Sequence, residues 1–215
     1  MHIPDGFIAP VTYLPLYGIA AGTWAYGIRQ LKRRLNERTL PLLAVLTAFC
    51  FVLMLVAIPL PGGTTAHASG VALLALLFGP WLAYMAVSLV LLMQALLFGE
   101  GGVTALPVNA LAMGLAGGLT AAGAFRLLRH WNRRIASFIA AWLSVAVAAL
   151  LVALLLGIQP LIAQDATGHP LFFPFGLSVT LPAIVLPHLL VGIGEGLLTV
   201  TLFDFLQRHA DGLAP

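Results

Sequence analysis

Apolar stretches divide the chain into seven candidate membrane helices. The runs cover about residues 10–28, 40–58, 66–79, 81–98, 105–125, 136–160 and 178–204. A membrane-spanning helix needs about 20 predominantly apolar residues, or somewhat fewer where the bilayer adapts. The pattern therefore predicts an all-α membrane protein: a seven-transmembrane-helix bundle that forms a single integral membrane domain over residues 1–215.

Basic residues are concentrated in two connections between these runs. The connections near 59–65, 99–104 and 161–177 contain no Lys or Arg. Because loops rich in Lys and Arg stay in the cytoplasm, the N-terminus is expected outside and the C-terminus in the cytoplasm. The basic residues are Arg29, Lys32, Arg33, Arg34 and Arg38 in the first connection, Arg126, Arg129, Arg133 and Arg134 in the second, and Arg208 after the last run.

The stretch from residue 66 to residue 98 must cross twice or not at all, because the loops on both sides of it are expected outside. Its roughly 33 residues, at about 1.5 Å each, span roughly 50 Å, which is enough for two short helices. Gly79-Pro80 supplies a break between them. The sequence therefore predicts a short third and a short fourth helix that turn at Gly79-Pro80. The weaker alternative is one long tilted helix, which makes six helices and puts one basic loop on the wrong side.

The composition supports a membrane location and excludes several other classes. The chain is 61% hydrophobic and 8% charged, with a mean hydropathy of +1.04, whereas soluble domains average about 25% charged residues. The net charge of +3 comes from the basic loops and does not indicate nucleic-acid binding. The single cysteine, Cys50, excludes an intramolecular disulfide and any multi-cysteine metal site. No basic segment precedes the first apolar run, so it is expected to stay as a helix of a multi-pass protein of the cell (inner) membrane.

The chain end is a candidate metal chelator. The α-amine of Met1 and the backbone nitrogen of His2 can close one ring around a metal, and that same nitrogen and the His2 Nδ1 can close a second. Three nitrogens then lie nearly in one plane, and a fourth completes a square. This geometry favours Ni(II) or Cu(II) over zinc, which prefers a tetrahedron.

His67 is the candidate for the fourth nitrogen. It follows the turn-like Pro61–Ala66 segment, and the topology places it on the same face of the membrane as the chain end. Glycines and threonines in this segment allow a tight turn that aims the ring, and a hydrogen-bond acceptor is expected on its other nitrogen. The glycine-rich connection 99–104 is also expected outside and could close over the site, with Glu100 more suited to a loop hydrogen bond than to metal ligation.

Polar residues inside a membrane are costly and often functional. We interpret Gln94 and Asn109 as hydrogen-bond partners that fix helix packing. His188 and Glu195 are seven residues apart, and therefore on one face of a helix. Two readings of that pair stay open: a relay or internal metal path, and a set of buried hydrogen-bond partners. His169, in an outer loop, is interpreted as polar surface.

Four segments resemble a known family. The chain looks like the NikM/CbiM family, the nickel- and cobalt-specific substrate-binding membrane subunits of energy-coupling factor transporters. The likeness covers essentially the whole chain, and the opening heptapeptide resembles the nickel branch more than the cobalt branch. The segments are Met1–Phe7, Gly63–His67, Gly79–Trp81 and Gln94–Gly102.

The resemblance implies a metal-binding domain with a specific ligand set and specific partners. The metal would be held by the amine of Met1, the backbone nitrogen and imidazole of His2, and His67. The partners would be a membrane coupling (T) subunit, cytoplasmic ATPase subunits and often a small accessory membrane subunit. The chain has no phosphate-binding glycine loop with Lys-Ser/Thr, so we expect a non-catalytic subunit with no cofactor beyond the transported Ni2+ or Co2+ ion.

Three other functions are compatible with parts of the sequence. One is a cobalt uptake subunit that serves cobalamin biosynthesis. Another is an intramembrane metalloenzyme that uses His188 and Glu195, although the chain lacks a spaced motif such as His-Glu-x-x-His. The last is a passive metal permease that works without an ATPase.

Overall fold

Seven helical segments follow one another in the computed structural model, which describes residues 2–37, 39–60 and 64–209. Their number and positions agree with the seven apolar runs of the sequence. The segments are α1 Pro10–Arg34, α2 Thr39–Leu55, α3 Val71–Phe78, α4 Pro80–Phe98, a fifth over Leu106–Leu128, a sixth over Arg133–Ile162 and α9 Leu177–His209. The fifth consists of α5 Leu106–Asn109, the π-helical segment Ala110–Gly117 and α6 Gly118–Leu128, and the sixth of α7 Arg133–Gly157 and α8 Gln159–Ile162.

The chain is a multi-pass membrane protein. Within the described residues, four segments are long and apolar enough to cross a membrane: α4, Leu106–Leu128, Arg133–Ile162 and α9. Helix α2 is apolar but has 17 residues, or about 25 Å at 1.5 Å per residue, so it approaches the length that a bilayer core requires.

The predicted hairpin at Gly79-Pro80 is present, but its two helices differ from the expectation. Gly79 has φ 86° and separates the helices, and Pro80 begins α4. Helix α4 has 19 residues and is not short. Helix α3 has only 8 residues, about 12 Å, and does not cross a bilayer core of about 30 Å by itself. The reason is local: residues 67–70 are not helical, and Gly70 enters α3 with φ 71°.

The structure is mostly helical, as expected, with one short β-hairpin that the sequence did not predict. The connection after α2 contains two short strands, β1 Ile58–Leu60 and β2 Thr64–Ala66, which pair antiparallel with Ile58 opposite Ala66. Its β-branched residues favour strands, and its prolines cannot continue a helix. Arg38 of the first basic connection and Gly63 of the His67 turn lie outside the described residues.

Glycines bring α7 and α9 close together. A Cβ atom at Gly192 would lie 2.9 Å from the Trp142 ring, and one at Gly196 would lie 2.6 Å from the Phe138 ring. The Trp142 indole Nε1 also donates to the Leu189 carbonyl at 3.0 Å. Since small residues let backbones approach in membranes, the buried polar face of α9 is held firmly against the rest of the bundle.

The basic residues and the N-terminal segment contact different parts of the bundle. Arg34 Nη1 lies 3.0 Å from the position that a Cβ atom would take on Gly79, and Arg134 Nε donates to Asp204 Oδ2 at 2.6 Å. The segment 2–9 instead contacts the connection after α4 and the end of α5. Which of these faces the cytoplasm stays a prediction of the charge pattern.

Candidate metal centre

The N-terminal segment is drawn into the core by a buried amide. Ile3 is fully buried, and its N–H donates to Asn109 Oδ1 at 3.0 Å. The Asn109 Nδ2 in turn donates to the Ile3 carbonyl at 3.1 Å. Both polar groups of Ile3 are therefore satisfied by one side chain at the end of α5. Asn109 is the hydrogen-bond partner that the sequence suggested, but it fixes the chain end and not the packing of two helices.

Asp5 anchors the same segment to the connection after α4. Its carboxylate accepts hydrogen bonds from Val103 N at 3.1 Å and from Thr104 N at 2.8 Å. Although burial raises the pKa of Asp5, the hydrogen bonds from Thr104 and Val103 hold it below its usual value. A Cβ atom at Gly102 would lie 2.4 Å from Asp5 N, so this connection and the N-terminal segment are in close contact. Closure of this connection over a metal site stays a prediction.

A third anchor comes from a residue that the sequence analysis did not single out. The backbone N–H of Ala9 donates to Gln159 Oε1 at 3.0 Å, and Gln159 Nε2 donates to the Leu155 carbonyl at 2.8 Å. Gln159 is buried at the start of α8. The signal was available, because a glutamine that ends a long apolar run needs a polar partner.

His2 and His67 meet inside the protein. Their ring centroids are 4.5 Å apart with an interplanar angle of 36°. Their exposed fractions are 3% and 2%, and neither Nε2 atom has a hydrogen-bond partner among the described residues. A buried polar nitrogen without a partner is costly. Two such nitrogens on adjacent rings suit a ligand that accepts lone pairs, such as a transition-metal ion.

One hydrogen bond fixes the orientation of the His67 ring. Its Nδ1 lies 3.0 Å from the Ala68 carbonyl oxygen, so we assign the proton to Nδ1, and Nε2 carries the free lone pair. This is the acceptor expected on the nitrogen that does not bind metal. Burial, aided by the neighbouring His2, lowers the pKa of His67 well below its usual value. The ring is therefore neutral at pH 7 and needs no proton removed before it binds a metal.

His2 makes a contact that the sequence did not predict. Its Nδ1 lies 3.3 Å from Glu100 Oε2, in the connection after α4. Burial lowers the pKa of His2, against the hydrogen bond with Glu100, which raises it. That same hydrogen bond lowers the pKa of Glu100. The neutral ring thus donates from Nδ1, the atom that the chain-end chelate requires, so metal binding in that chelate requires Nδ1 to leave Glu100.

The remaining ligands of the proposed set are not side chains. Within the described residues, no three His, Cys, Asp or Glu side chains converge to hold a metal ion. Met1, whose amine the sequence analysis names as a ligand, lies outside the described residues. His2 and His67 are the two predicted ligands that the structure brings together.

His188 and Glu195 do not form a separate centre. His188 is fully buried, and its Nδ1 lies 2.7 Å from the Ile184 carbonyl. Glu195 accepts hydrogen bonds from the backbone of Ser69 and Gly70. The two side chains therefore have different partners, and His188 Nε2 has no hydrogen-bond partner among the described residues. His188 also interacts with the backbone of Thr65, just before His67.

The other polar residues of the sequence analysis lie apart from this centre. Gln94 is buried in α4 and donates to the Phe51 carbonyl at 3.2 Å, which agrees with a role in packing. His169 is 80% exposed and contacts Thr167 and Asp165, which agrees with polar surface.

Comparison with known proteins gives a family and a fold. Residues 2–213 match the family described as the cobalt uptake substrate-specific transmembrane region. The structure is similar to the crystal structure of a truncated transition metal transporter, with a TM-score of 0.94 and 37% sequence identity. The match covers 97% of this chain and 99% of that one.

Similar proteins include both nickel and cobalt transport proteins. The fused nickel transport protein NikMN of Rhodobacter capsulatus is 43% identical over 100% of this chain, which spans only 64% of that longer relative. The cobalt transport protein CbiM of Desulforamulus reducens is 35% identical over 100% of this chain and 84% of its own length. Nickel and cobalt names thus both occur among similar proteins.

Proposed function

Because the chain belongs to the family of cobalt uptake substrate-specific transmembrane regions, we propose that it captures Ni(II) or Co(II) for an ATP-driven uptake transporter. One observation carries the proposal: the imidazoles of His2 and His67 are buried side by side, and Nε2 of His67 has no hydrogen-bond partner in the described part of the chain. The transport names of similar proteins agree with a non-catalytic subunit.

The proposed site combines the chain end with His67. The amine of Met1, the backbone nitrogen and Nδ1 of His2, and Nε2 of His67 supply four nitrogens in a nearly square arrangement, which suits Ni(II). When the metal takes Nδ1 of His2, Glu100 loses that hydrogen bond and is free to face solvent. Residues 1–215 act in this proposal as one membrane metal-binding domain.

Closure and capture are one event in this scheme. The segment that carries His2 is also the segment held by Asn109 and Asp5, so docking of the chain end both completes the ligand set and covers it. ATP hydrolysis by partner ATPase subunits, transmitted through a membrane coupling subunit, then drives release to the cytoplasm. A small accessory membrane subunit completes the expected assembly.

Nickel is the preferred cargo in this proposal, with cobalt as the alternative. The opening heptapeptide resembles the nickel branch, and the relative with 43% identity is named a nickel transport protein. A planar nitrogen set with a deprotonated amide also favours Ni(II) over Co(II) through the metal-ion affinity order. Competition between the two ions for the purified protein measures this preference directly.

The deciding experiment is equilibrium binding of Ni(II) and Co(II) to protein with a native N-terminus. Its partner is a variant with one residue inserted between Met1 and His2, which separates the amine from the His2 chelate. We expect insertion and His67→Ala each to abolish tight binding. The matched control is His169→Ala, an exposed histidine, which should bind as the unmodified chain does. Unchanged binding by the insertion variant would show that the chain end is not the site.

A further inference from the structure

A fully buried carboxylate on α9 holds the backbone that follows His67. Ser69 N donates to Glu195 Oε2 at 2.7 Å, and Gly70 N donates to Glu195 Oε1 at 2.7 Å. The Ser69 hydroxyl adds a third hydrogen bond at 3.2 Å. The exposed fraction of Glu195 is 0%. All three donors thus come from two consecutive residues, two and three positions after the proposed ligand.

The contacts occur where the backbone needs an acceptor. Gly70 precedes α3 with φ 71°, and a Cβ atom there would lie 2.4 Å from Cys50 Sγ. Buried backbone N–H groups outside a regular helix or strand need a partner. Glu195 accepts from the two N–H groups just before α3, while Ser69 Oγ accepts from Val71 N, the first N–H of the helix, at 3.3 Å.

A buried carboxylate is an expensive way to satisfy two backbone N–H groups. Removing an ionised carboxyl group from water costs several kcal/mol, roughly, even after the protein relaxes. Within the described part of the chain, Glu195 has no salt-bridge partner that would offset this cost. The start of α3 already has a local partner, because Ser69 Oγ accepts from Val71 N. The long-range contact therefore indicates a purpose beyond helix stability.

One peptide group links Glu195 to the His67 imidazole. The Ala68–Ser69 peptide donates its N–H to Glu195 Oε2 and accepts from His67 Nδ1 at its carbonyl oxygen, 3.0 Å away. Because a peptide group is planar, its N–H and C=O rotate together. If the N–H turns away from Glu195, the carbonyl also turns away from the imidazole. Hydrogen bonds in a chain also polarise one another, so the carboxylate makes this carbonyl a stronger acceptor.

From this geometry we propose that Glu195 is the positioning residue of His67. Through the Ala68–Ser69 peptide, it fixes the orientation of the His67 ring and raises the basicity of Nε2. The inference rests on the proposed metal site. It also gives α9 a role in the site, because a shift of α9 relative to α3 breaks the contact and turns His67 away from the metal.

The test compares Ni(II) affinity, the visible absorption spectrum of bound Ni(II), and Tm in Glu195→Gln and unmodified protein. Outer-shell partners of metal-binding histidines are typically worth about 10- to 100-fold in metal affinity, and we expect a loss in that range together with an altered spectrum. The matched control is Thr199→Val, which changes a fully buried hydroxyl one turn along α9 and should leave affinity within about twofold and the spectrum unchanged. Glu195→Asp, which withdraws the carboxylate, replaces Glu195→Gln if the latter does not fold.

A double-mutant cycle with His67→Ala separates this inference from the proposed site. If Glu195 acts through His67, substitution of Glu195 has no further effect on residual binding in the His67→Ala background. If His67→Ala abolishes tight binding and Glu195→Gln lowers only Tm, with affinity and spectrum unchanged, the positioning role is refuted and the metal site stands. If His67→Ala and the chain-end insertion both leave binding intact, the metal site itself is refuted.

Discussion

Gly102→Ala should weaken metal binding without touching a ligand. Gly102 is buried, and an added Cβ atom would lie 2.2 Å from Asp5 Oδ1 and 2.4 Å from Asp5 N. A side-chain oxygen can move aside, but the backbone nitrogen cannot move without carrying its neighbours. Asp5 is three residues after His2, so relief of this overlap displaces the segment that carries the proposed chelate.

The size of the effect follows from the cost of overpacking. An extra methyl group in a well-packed site costs about 1–3 kcal/mol. If the N-terminal segment relieves this strain by leaving the site, the cost appears in metal affinity, as a Kd about 5- to 140-fold higher. The effect on Tm is then small, because the helices do not need to move. Gly102 is not among the left-handed glycines, so the substitution introduces no backbone strain of its own.

The assay is Ni(II) titration of purified protein with a native N-terminus, with Tm measured on the same sample. Gly123→Ala is the control, because its added Cβ atom meets nothing within 4 Å in the described part of the chain, and affinity should not change. If Gly102→Ala binds Ni(II) as tightly as the unmodified chain, the N-terminal segment does not need this close contact to form the site. A large fall in Tm with unchanged Ni(II) affinity would show that the helices, and not the N-terminal segment, move to accommodate the added methyl group.

Three further outcomes are expected. Burial lowers the pKa of His2 and His67 below 6.5. From about pH 7.5 to 6.5, Ni(II) affinity should therefore fall about 100-fold per pH unit, because only the amine and amide protons are displaced and no imidazole proton adds to the loss. Titrations at several pH values measure this slope, and a steeper slope contradicts neutral rings. Asn109→Ala leaves both polar groups of Ile3 buried and unpaired, at about 1–3 kcal/mol each, so Ni(II) affinity and Tm should both fall; an unchanged affinity argues against this anchor. Asp204→Asn breaks a largely exposed ion pair worth about 1 kcal/mol or less, and it should leave Ni(II) affinity unchanged.

The positions of the helices could be predicted from the sequence because a helix that crosses a bilayer needs a long apolar run. Every apolar run became a helical segment, and the Gly79-Pro80 break fell where a proline and a left-handed glycine begin and end helices. The run 66–79 misled the prediction because hydrophobicity cannot distinguish a helix from buried backbone that bonds to another helix. Ser69 and Gly70 use Glu195 as their acceptor, 126 and 125 residues away.

The proximity of His2 and His67 was also predictable, but their surroundings were not. His2 was identifiable because a chain end followed by histidine has a chemistry of its own, and His67 because the expected topology puts it on the same face. The contact between Glu100 and the His2 Nδ1 depends on a separation of 98 residues, which no local pattern specifies. The same is true of Asn109, whose amide could be assigned a hydrogen-bonding role but no partner.

The residues that hold His2 and His67 in place lie on different helical segments. Asn109 and Asp5 hold the segment that supplies His2, while Glu195 holds the segment that supplies His67. Asn109 lies in the fifth helical segment and Asp5 contacts the connection before it, whereas Glu195 lies on α9. A movement between α9 and the rest of the bundle would therefore separate the two imidazoles without unfolding either segment. In the proposed site this movement would remove the His67 nitrogen and weaken metal binding, and the Glu195 variants test its first requirement.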